Sequence, residues 1–173
     1  MLQKIKKNNL KYIKNKNGYA ILETLFYISL LTVLSVVVIN SMIVMIKSYH
    51  ETKIGNELME GSAIMERMSR EVRKAYGINT ISSNDLKLDT KDGSGVNENI
   101  EFKLVGSDVQ ILETNKTTVN LNTATLAITA LSFTQITSIK GKAVKIVLTI
   151  KSTNDTQNRT YDFYDTVVLR GGY

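Results

Sequence analysis

The sequence predicts an α+β protein in which a long N-terminal α-helix, with a transmembrane half and an amphipathic half, packs on an antiparallel β-sheet head. Three observations predict this class. Residues 24–46 are 23 consecutive positions without a charge, residues 47–76 place apolar side chains at helical spacing, and the remainder alternates short apolar runs with turn residues. The predicted organisation is a leader at 1–18, a transmembrane helix at 19–46, the amphipathic half at 47–76 and the head at 77–173.

The uncharged run is long enough to cross the hydrocarbon core of a bilayer, which is roughly 30 Å thick, as a helix. The leader before it carries six lysines and no acidic residue, and without them the chain has equal numbers of basic and acidic residues. Lysines that flank a span stay on the cytoplasmic side, so the pattern predicts a single pass with the N-terminus inside and the head outside. The net charge of +6 therefore indicates topology and not a nucleic-acid surface. The leader lysines are Lys4, Lys6, Lys7, Lys11, Lys14 and Lys16.

A carboxylate, Glu23, stands at the start of this run. An ionisable group in a spanning segment costs about 2.5 to 3.5 kcal/mol, so such a residue is a functional candidate whose partner must be sought. Cleavage between Gly18 and Tyr19 would supply a partner, because the new α-amine is mostly protonated at neutral pH and lies about one helical turn from Glu23. The amine could equally meet the carboxylate of a neighbouring chain. In that arrangement Glu23 would set the axial register of an assembly.

The block from Gly18 to Glu23 carries a family resemblance. Gly18, an aromatic residue, three small or aliphatic residues and Glu23 stand between a basic leader and an apolar helix. This arrangement resembles the class III signal of type IV pilins and type II secretion pseudopilins, usually Gly-Phe-Thr-Leu-Ile/Leu-Glu. Tyr19 replaces the commoner phenylalanine and Ala20 the commoner threonine. The resemblance implies that a membrane prepilin peptidase cleaves after Gly18 and methylates the new N-terminus at Tyr19, and that Glu23 directs assembly.

The resemblance further implies a structural subunit without catalytic activity. Its partners would be the peptidase, other pilin or pseudopilin subunits, an assembly platform in the membrane and the lipid itself. Its location would be the cytoplasmic membrane and then a pilus or pseudopilus on the cell surface or in the envelope. The strand-rich head, the long amphipathic helix and the late C-terminal strand favour a minor subunit. The signal does not distinguish a retractile pilus, a secretion pseudopilus and a competence pilus.

Other interpretations of the N-terminus stay open. An ordinary secretory signal has an apolar core of about 7 to 15 residues followed by a small-residue cleavage site, and this core is longer. A plain uncleaved anchor fits the length but leaves Gly18 and Glu23 without a role. Three alternative functions remain: an adhesive or DNA-uptake tip subunit of a pilus, a single-pass membrane protein outside any filament, and an anchored enzyme.

The amphipathic half has one apolar face, in which Gly61 fills an interior position. Because the chain has no proline, we expect one uninterrupted helix over residues 20–76. Gly77 is the predicted stop, since glycine readily adopts the left-handed conformation that ends helices. The apolar face comprises Ile54, Leu58, Met65, Met68, Val72 and Tyr76.

The opposite face of this half is charged, and we expect it to be solvated. Two pairs on it, Glu66/Arg70 and Arg67/Glu71, have the i,i+4 spacing of helix ion pairs, each of which contributes a few tenths of a kcal/mol. The pattern favours a solvated face over a binding patch. Its members are Glu57, Glu60, Glu66, Arg67, Arg70, Glu71, Arg73 and Lys74.

The head is predicted to be one domain built on an antiparallel sheet, because its short runs are joined by local connections. Residues 106–108 predict a tight hairpin turn and residues 154–158 the connection between the last two strands. Ile146, Leu148 and Ile150 alternate with polar residues and should face the amphipathic helix. The predicted strands are 86–90, 99–105, 109–114, 117–121, 130–136, 144–151 and 160–169.

The composition argues against several chemistries. Residues 77–173 carry ten basic and ten acidic side chains, so the head has no net field to attract nucleic acid, although a local patch stays open. The absence of cysteine removes thiol chemistry and disulfides. His50, the one histidine, lacks partners at ligand spacing and is interpreted as solvated. The loop 89–95 resembles a calcium loop, but Lys91 stands where an oxygen ligand is needed, which favours a glycine-rich turn. No catalytic, metal or cofactor site is predicted.

Overall fold

The computed structural model describes residues 17–139 and 141–170. One long helix, α1 (Asn17–Lys74), precedes a set of antiparallel strands, which confirms the α+β class. The chain divides into two compact units, Met1–Lys47 and Ser48–Tyr173. The strands of the second unit are β1 (Gly77–Ile81), β2 (Asp85–Lys91), β3 (Asn97–Val105), β4 (Asp108–Glu113), β5 (Val119–Asn120), β6 (Leu126–Ser138), β7 (Gly141–Ser152) and β8 (Thr160–Val168).

The strands form two antiparallel sheets where the sequence predicted one. The first has the order β1-β2-β3-β4-β5 and the second the order β6-β7-β8. Strand β6 connects them: the backbone N–H of Phe133 donates to the carbonyl of Ser83 (3.0 Å), and that of Ile128 to the carbonyl of Ser107 (2.9 Å). Short connections determine which strands are neighbours, but they do not determine where one sheet ends and the next begins.

The predicted turns are present at both positions. Val105 pairs with Asp108 across a loop of two residues, in which Gly106 has a φ of 65°. Glycine adopts this left-handed conformation without strain, because it has no Cβ. The connection between β7 and β8 includes residues 154–158, as predicted. The predicted strand at 117–121 is only two residues long, because β5 pairs with β4 only at Val119 and Asn120.

The predicted helix end is wrong. Helix α1 ends at Lys74, and Gly77 begins β1, a strand that the sequence did not predict. The backbone N–H of Tyr76 already donates to the carbonyl of Asp89 in β2 (3.0 Å). A Cβ at Gly77 would lie 3.2 Å from Asp89 Oδ2, so the glycine serves close approach to β2 and not a left-handed turn. Strand β1 lacks a regular apolar alternation, and its pairing register shifts between Ile78 and Thr80.

The core lies between the second half of α1 and the two sheets. Ile146, Leu148 and Ile150 are buried, as predicted. A Cβ at Gly61 would lie 2.6 Å from Ile150 Cδ1, so the helix approaches β7 closely at the position that the sequence assigned to the interior. Tyr76 was predicted to be part of the apolar face, but it is 42% exposed. The buried apolar residues of α1 are Ile54, Ile64, Met65, Met68 and Val72.

Candidate functional site

The first half of α1 is an apolar surface. Every residue from Tyr19 to Ile46 is exposed within the chain, including all the large hydrophobic side chains of this segment. Among the described residues, one helix is long and apolar enough to cross a membrane, and this segment supplies its apolar part. The predicted span is therefore present as a candidate membrane helix. The leader lysines lie outside the described residues.

Three hydroxyl groups of this segment donate to backbone carbonyls within the helix. Thr32 Oγ1 donates to the carbonyl of Ile28 and Ser35 Oγ to that of Leu31, both at 2.8 Å. Thr24 Oγ1 likewise donates to a carbonyl three residues back, at 2.9 Å. A hydroxyl bonded in this way needs no water, so these residues are tolerated in hydrocarbon. Glu23 is the carboxylate of this segment.

The predicted site residues lie in the first turns of α1. Gly18 and Tyr19 follow the first residue of the helix, and Tyr19 is exposed. Glu23 comes four residues after Tyr19, which is about one helical turn. Its Oε1 accepts a hydrogen bond from the hydroxyl of Tyr27 (3.2 Å). Its Oε2 has no hydrogen bond to any residue within 17–139 or 141–170.

The sequence prediction missed Tyr27. The available signal was the i,i+4 spacing from Glu23, because residues four apart lie next to each other on a helix. Tyr27 also begins a shallow groove of about 370 Å³ along the helix. At 100° per residue, the groove residues Leu30, Leu34 and Val37 all lie within about 40° of the Glu23 direction. The groove is lined by Tyr27, Leu30, Leu31, Val33, Leu34 and Val37.

The charged face of the second half of α1 is solvated only in part: most of its members are exposed, as predicted, but Glu57 and Glu60 are not. Glu57 is 7% exposed, and its Oε1 accepts a hydrogen bond from Asn154 Nδ2 (2.6 Å). Glu60 accepts hydrogen bonds from the backbone N–H (2.6 Å) and the hydroxyl (3.0 Å) of Thr123. These acidic side chains bond to head loops far away in the chain, which helical periodicity alone does not reveal. Glu57 Oε2 is buried without a hydrogen-bond partner in the described part of the chain.

Neither predicted i,i+4 pair forms an ion pair within the described residues. Arg67 Nη2 instead lies 3.3 Å from Glu113 Oε1 in β4, and Glu71 pairs with Lys74 at 3.2 Å. Arg67 therefore pairs with the sheet and not with Glu71, because the packing of α1 on the head brings Glu113 close to its guanidinium.

A further connection to α1 comes from the loop between β7 and β8. Asp155 is buried and accepts hydrogen bonds from Arg159 Nε (2.8 Å) and from the backbone N–H groups of Gln157 and Arg159 (both 3.0 Å). The Arg159 side chain, followed by these backbone groups, lowers the pKa of Asp155 to about 2, and Asp155 raises the pKa of Arg159. Arg159 Nη2 lies 3.1 Å from Glu51 Oε1 on α1. Asp155 thereby orients the guanidinium toward the helix.

A cavity of about 440 Å³ lies beside the short strand β5. Its charged rim is already paired, because Glu113 contacts both Arg67 and Lys116. The hydrogen bond from Lys116 lowers the pKa of Glu113 and raises that of Lys116. The cavity is lined by Arg67, Ile111, Glu113, Lys116, Thr117, Val119 and Leu121.

The remaining candidate positions have local roles. His50 is exposed, with its ring 6.4 Å from that of Tyr49. In the glycine-rich loop, Asp92 Oδ1 accepts the backbone N–H groups of Ser94 (2.9 Å) and Val96 (2.8 Å), so this carboxylate closes a turn. Within residues 17–139 and 141–170, no three His, Cys, Asp or Glu side chains form a cluster that could hold a metal ion.

The chain matches no family model, no curated protein and no solved structure. The functional argument therefore depends on the residues of the chain and their geometry. Of the positions considered, Glu23 combines an unusual chemical setting with an unused hydrogen-bonding atom on an exposed surface.

Proposed function

We propose that this protein is a type IV pilin-like structural subunit, one of the minor kind, that is processed after Gly18 and assembled through the first half of α1. The observation that carries the proposal is Glu23, a carboxylate at the mouth of an exposed apolar helix, five residues after a glycine that follows a lysine-rich leader. The role is structural and not catalytic. The subunit would be anchored in the cytoplasmic membrane with its head outside before it enters a pilus or pseudopilus.

The physical support comes from the cost of the carboxylate. Glu23 has one hydrogen bond from Tyr27, and its other oxygen has none among the described residues. A carboxylate in or near hydrocarbon requires a partner of opposite charge, and the α-amine produced by cleavage before Tyr19 is such a partner about one helical turn away. An exposed apolar helix likewise requires lipid or other helices around it.

The processing step is tested by the intact mass and the N-terminal sequence of the protein from its native membrane. We expect a chain that begins at Tyr19 and is heavier by one methyl group, about 14 Da. Gly18→Glu should block cleavage, because the peptidase site requires the small residue. A chain that begins at Met1 in the wild type, or at Tyr19 in Gly18→Glu, would contradict the processing role.

The assembly step is tested by Glu23→Ala. We expect normal insertion and cleavage but loss of incorporation into filaments, measured by immunoblotting of sheared filaments against membranes. Glu66→Ala is the matched control, since it removes the same side chain from an exposed position of the same helix. Normal incorporation of Glu23→Ala would contradict the assembly role of Glu23, whereas absence of the wild-type chain from the filament fraction would indicate a single-pass membrane protein outside any filament.

A further inference from the structure

We propose that a neighbouring transmembrane helix packs on the face of α1 that carries Glu23, along the groove from Tyr27 to Val37, and that the Tyr27 hydroxyl positions the Glu23 carboxylate for this contact. The inference rests on the proposed function and adds the docking face and a positioning residue. The occupant is an apolar helix that begins with a free α-amine, which is the chemistry of a processed subunit.

Exposure alone does not select this face. Leu34 in the groove is 60% exposed, and Val36 on the far side of the helix is 53% exposed. The groove and the carboxylate lie on the same side of the helix, and this is the basis on which we choose the face. Leu30, Leu34 and Val37 follow Tyr27 along the same stripe, so the apolar groove and the ionisable group form one continuous surface.

The hydrogen bond from Tyr27 restricts the Glu23 side chain. A free glutamate samples several rotamers, and fixing it at the moment of docking costs conformational entropy. Tyr27 holds Oε1 at 3.2 Å within the same helix, which leaves Oε2 as the acceptor for a second donor. A carboxylate can accept several hydrogen bonds, so the tyrosine and the incoming amine need not compete.

The shape of the groove fits the proposed occupant. Helices in membranes associate by close packing and by interhelical hydrogen bonds, because lipid offers little hydrophobic advantage to association. A groove of about 370 Å³ that runs parallel to the helix accepts a ridge of side chains from a second helix. An amine at the end of that second helix would then meet Glu23. This pairing would determine the axial register of the two helices and the face of α1 on which they pack.

The docking face is tested by photo-crosslinking in the native membrane. A photoreactive phenylalanine analogue replaces Leu34 in one variant and Val36 in another. The two positions are about 3 Å apart in depth and about 200° apart around the helix, so they form a matched pair. We expect severalfold more adduct with another subunit from Leu34. Ile28 and Leu30 provide a second matched pair one turn earlier, for use if the first variants do not reach the membrane.

The positioning role is tested by Tyr27→Phe and Tyr27→Leu. A hydrogen bond to a charged group supports a difference of about tenfold in incorporation. If the hydroxyl positions Glu23, incorporation of Tyr27→Phe into filaments falls about tenfold although the ring is kept. Incorporation of Tyr27→Leu then falls by at least as much. A role in packing alone would leave Tyr27→Phe like the wild type. Tyr49→Phe is the matched control for loss of a hydroxyl on the same helix, and we expect no change.

The outcomes separate the two proposals. Absence of the wild-type chain from the filament fraction would overturn the proposed function and this inference with it, and normal incorporation of Glu23→Ala would overturn the assembly role of Glu23 on which this inference depends. If Glu23→Ala is excluded but Tyr27→Phe assembles like the wild type, or Leu34 and Val36 crosslink equally, only the inference is overturned. Exclusion of Glu23→Ala, the tenfold loss in Tyr27→Phe and preferential crosslinking from Leu34 together support it.

Discussion

The two halves of helix α1 place apolar side chains in opposite ways. In residues 19–46 they surround the whole helix and are exposed, whereas in the second half they repeat at helical spacing and are buried on one face. A helix that is apolar on all sides needs a partner on all sides, and a helix with one apolar stripe needs only one. The second half finds its partner in the sheets of the same chain. The first half has no such partner among the described residues.

Glutamates show the same contrast. Glu23 bonds within its own helix, to Tyr27 four residues later, and keeps one oxygen unused among the described residues. Glu57 and Glu60 instead bond to Asn154 and Thr123, which are 97 and 63 residues away in the sequence. Glu57 and Glu60 thus connect the packed half of α1 to the head, while Glu23 on the exposed half keeps an open acceptor.

The largest expected effect is on the free energy of unfolding, and it distinguishes the buried face of the second half of α1 from the exposed first half. Met68 is fully buried and Met45 is 74% exposed, both on α1. Met68→Ala should lower the free energy of unfolding of the head by about 2 to 5 kcal/mol, because it leaves a cavity. Met45→Ala should change it by less than about 0.5 kcal/mol. Denaturant titration of the detergent-solubilised chain measures both, and equal effects would remove the distinction between the halves.

A smaller effect is expected for the polar connections to the head. Glu57→Ala removes the acceptor of the Asn154 amide and should cost about 1 to 3 kcal/mol in the free energy of unfolding. Glu66→Ala is the control, because Glu66 is exposed and has no ion pair among the described residues. The same denaturant titration applies. If Glu57→Ala and Glu66→Ala are indistinguishable, the Glu57 bond does not hold the helix to the head.

Two glycines of α1 provide a comparison of close packing. A Cβ at Gly61 would lie 2.6 Å from Ile150 Cδ1, whereas at Gly55 no described atom beyond the adjacent residues and the nearby backbone of the same helix lies within 4 Å of the corresponding position. Gly61→Ala should therefore destabilise the head by about 1 to 2 kcal/mol through overpacking, net of its gain in helix propensity. Gly55→Ala should stabilise it by up to about 1 kcal/mol. Thermal unfolding followed by circular dichroism would show melting-temperature shifts of opposite sign. Shifts of the same sign would contradict the close contact at Gly61.

The smallest effect concerns acid stability of the loop at Asp155. Its pKa is about 2 in the folded chain, below the unfolded value of roughly 3.9. The unfolded chain therefore binds more protons in this window, so the stability contribution is present above about pH 4 and is lost as pH falls toward about 2. Asp155→Asn should flatten the pH dependence of unfolding there, and Arg159→Ala should do so in part. An unchanged slope in both variants would exclude this linkage.

The sequence predicted the strands best where they alternate regularly. In β7, Ile146, Leu148 and Ile150 stand at every second position, and the predicted 144–151 lies inside the observed Gly141–Ser152. It failed at β1, where no such alternation exists and pairing with β2 makes the strand. It also failed for Glu57 and Glu60 on the charged face of α1, since periodicity separates polar from apolar residues but does not show which polar residues meet another element.

The candidate site follows the same division. Glu23 was identifiable from the sequence because a charge beside an uncharged run is a local anomaly. The i,i+4 spacing from Glu23 could have identified Tyr27, but Tyr27 has no unusual feature of its own in the sequence. The groove could be recognised only in the folded helix, because its walls are side chains from three successive turns.

The sequence by itself determined the long helix, the apolar character of its first half and the position of Glu23, because each depends on neighbours within a few residues along the chain. Only the tertiary structure decided that the strands form two sheets, that Gly77 begins a strand, and that Glu57 is buried against Asn154. These features depend on contacts between residues far apart in the sequence. Local periodicity contains no information about them until the chain has packed.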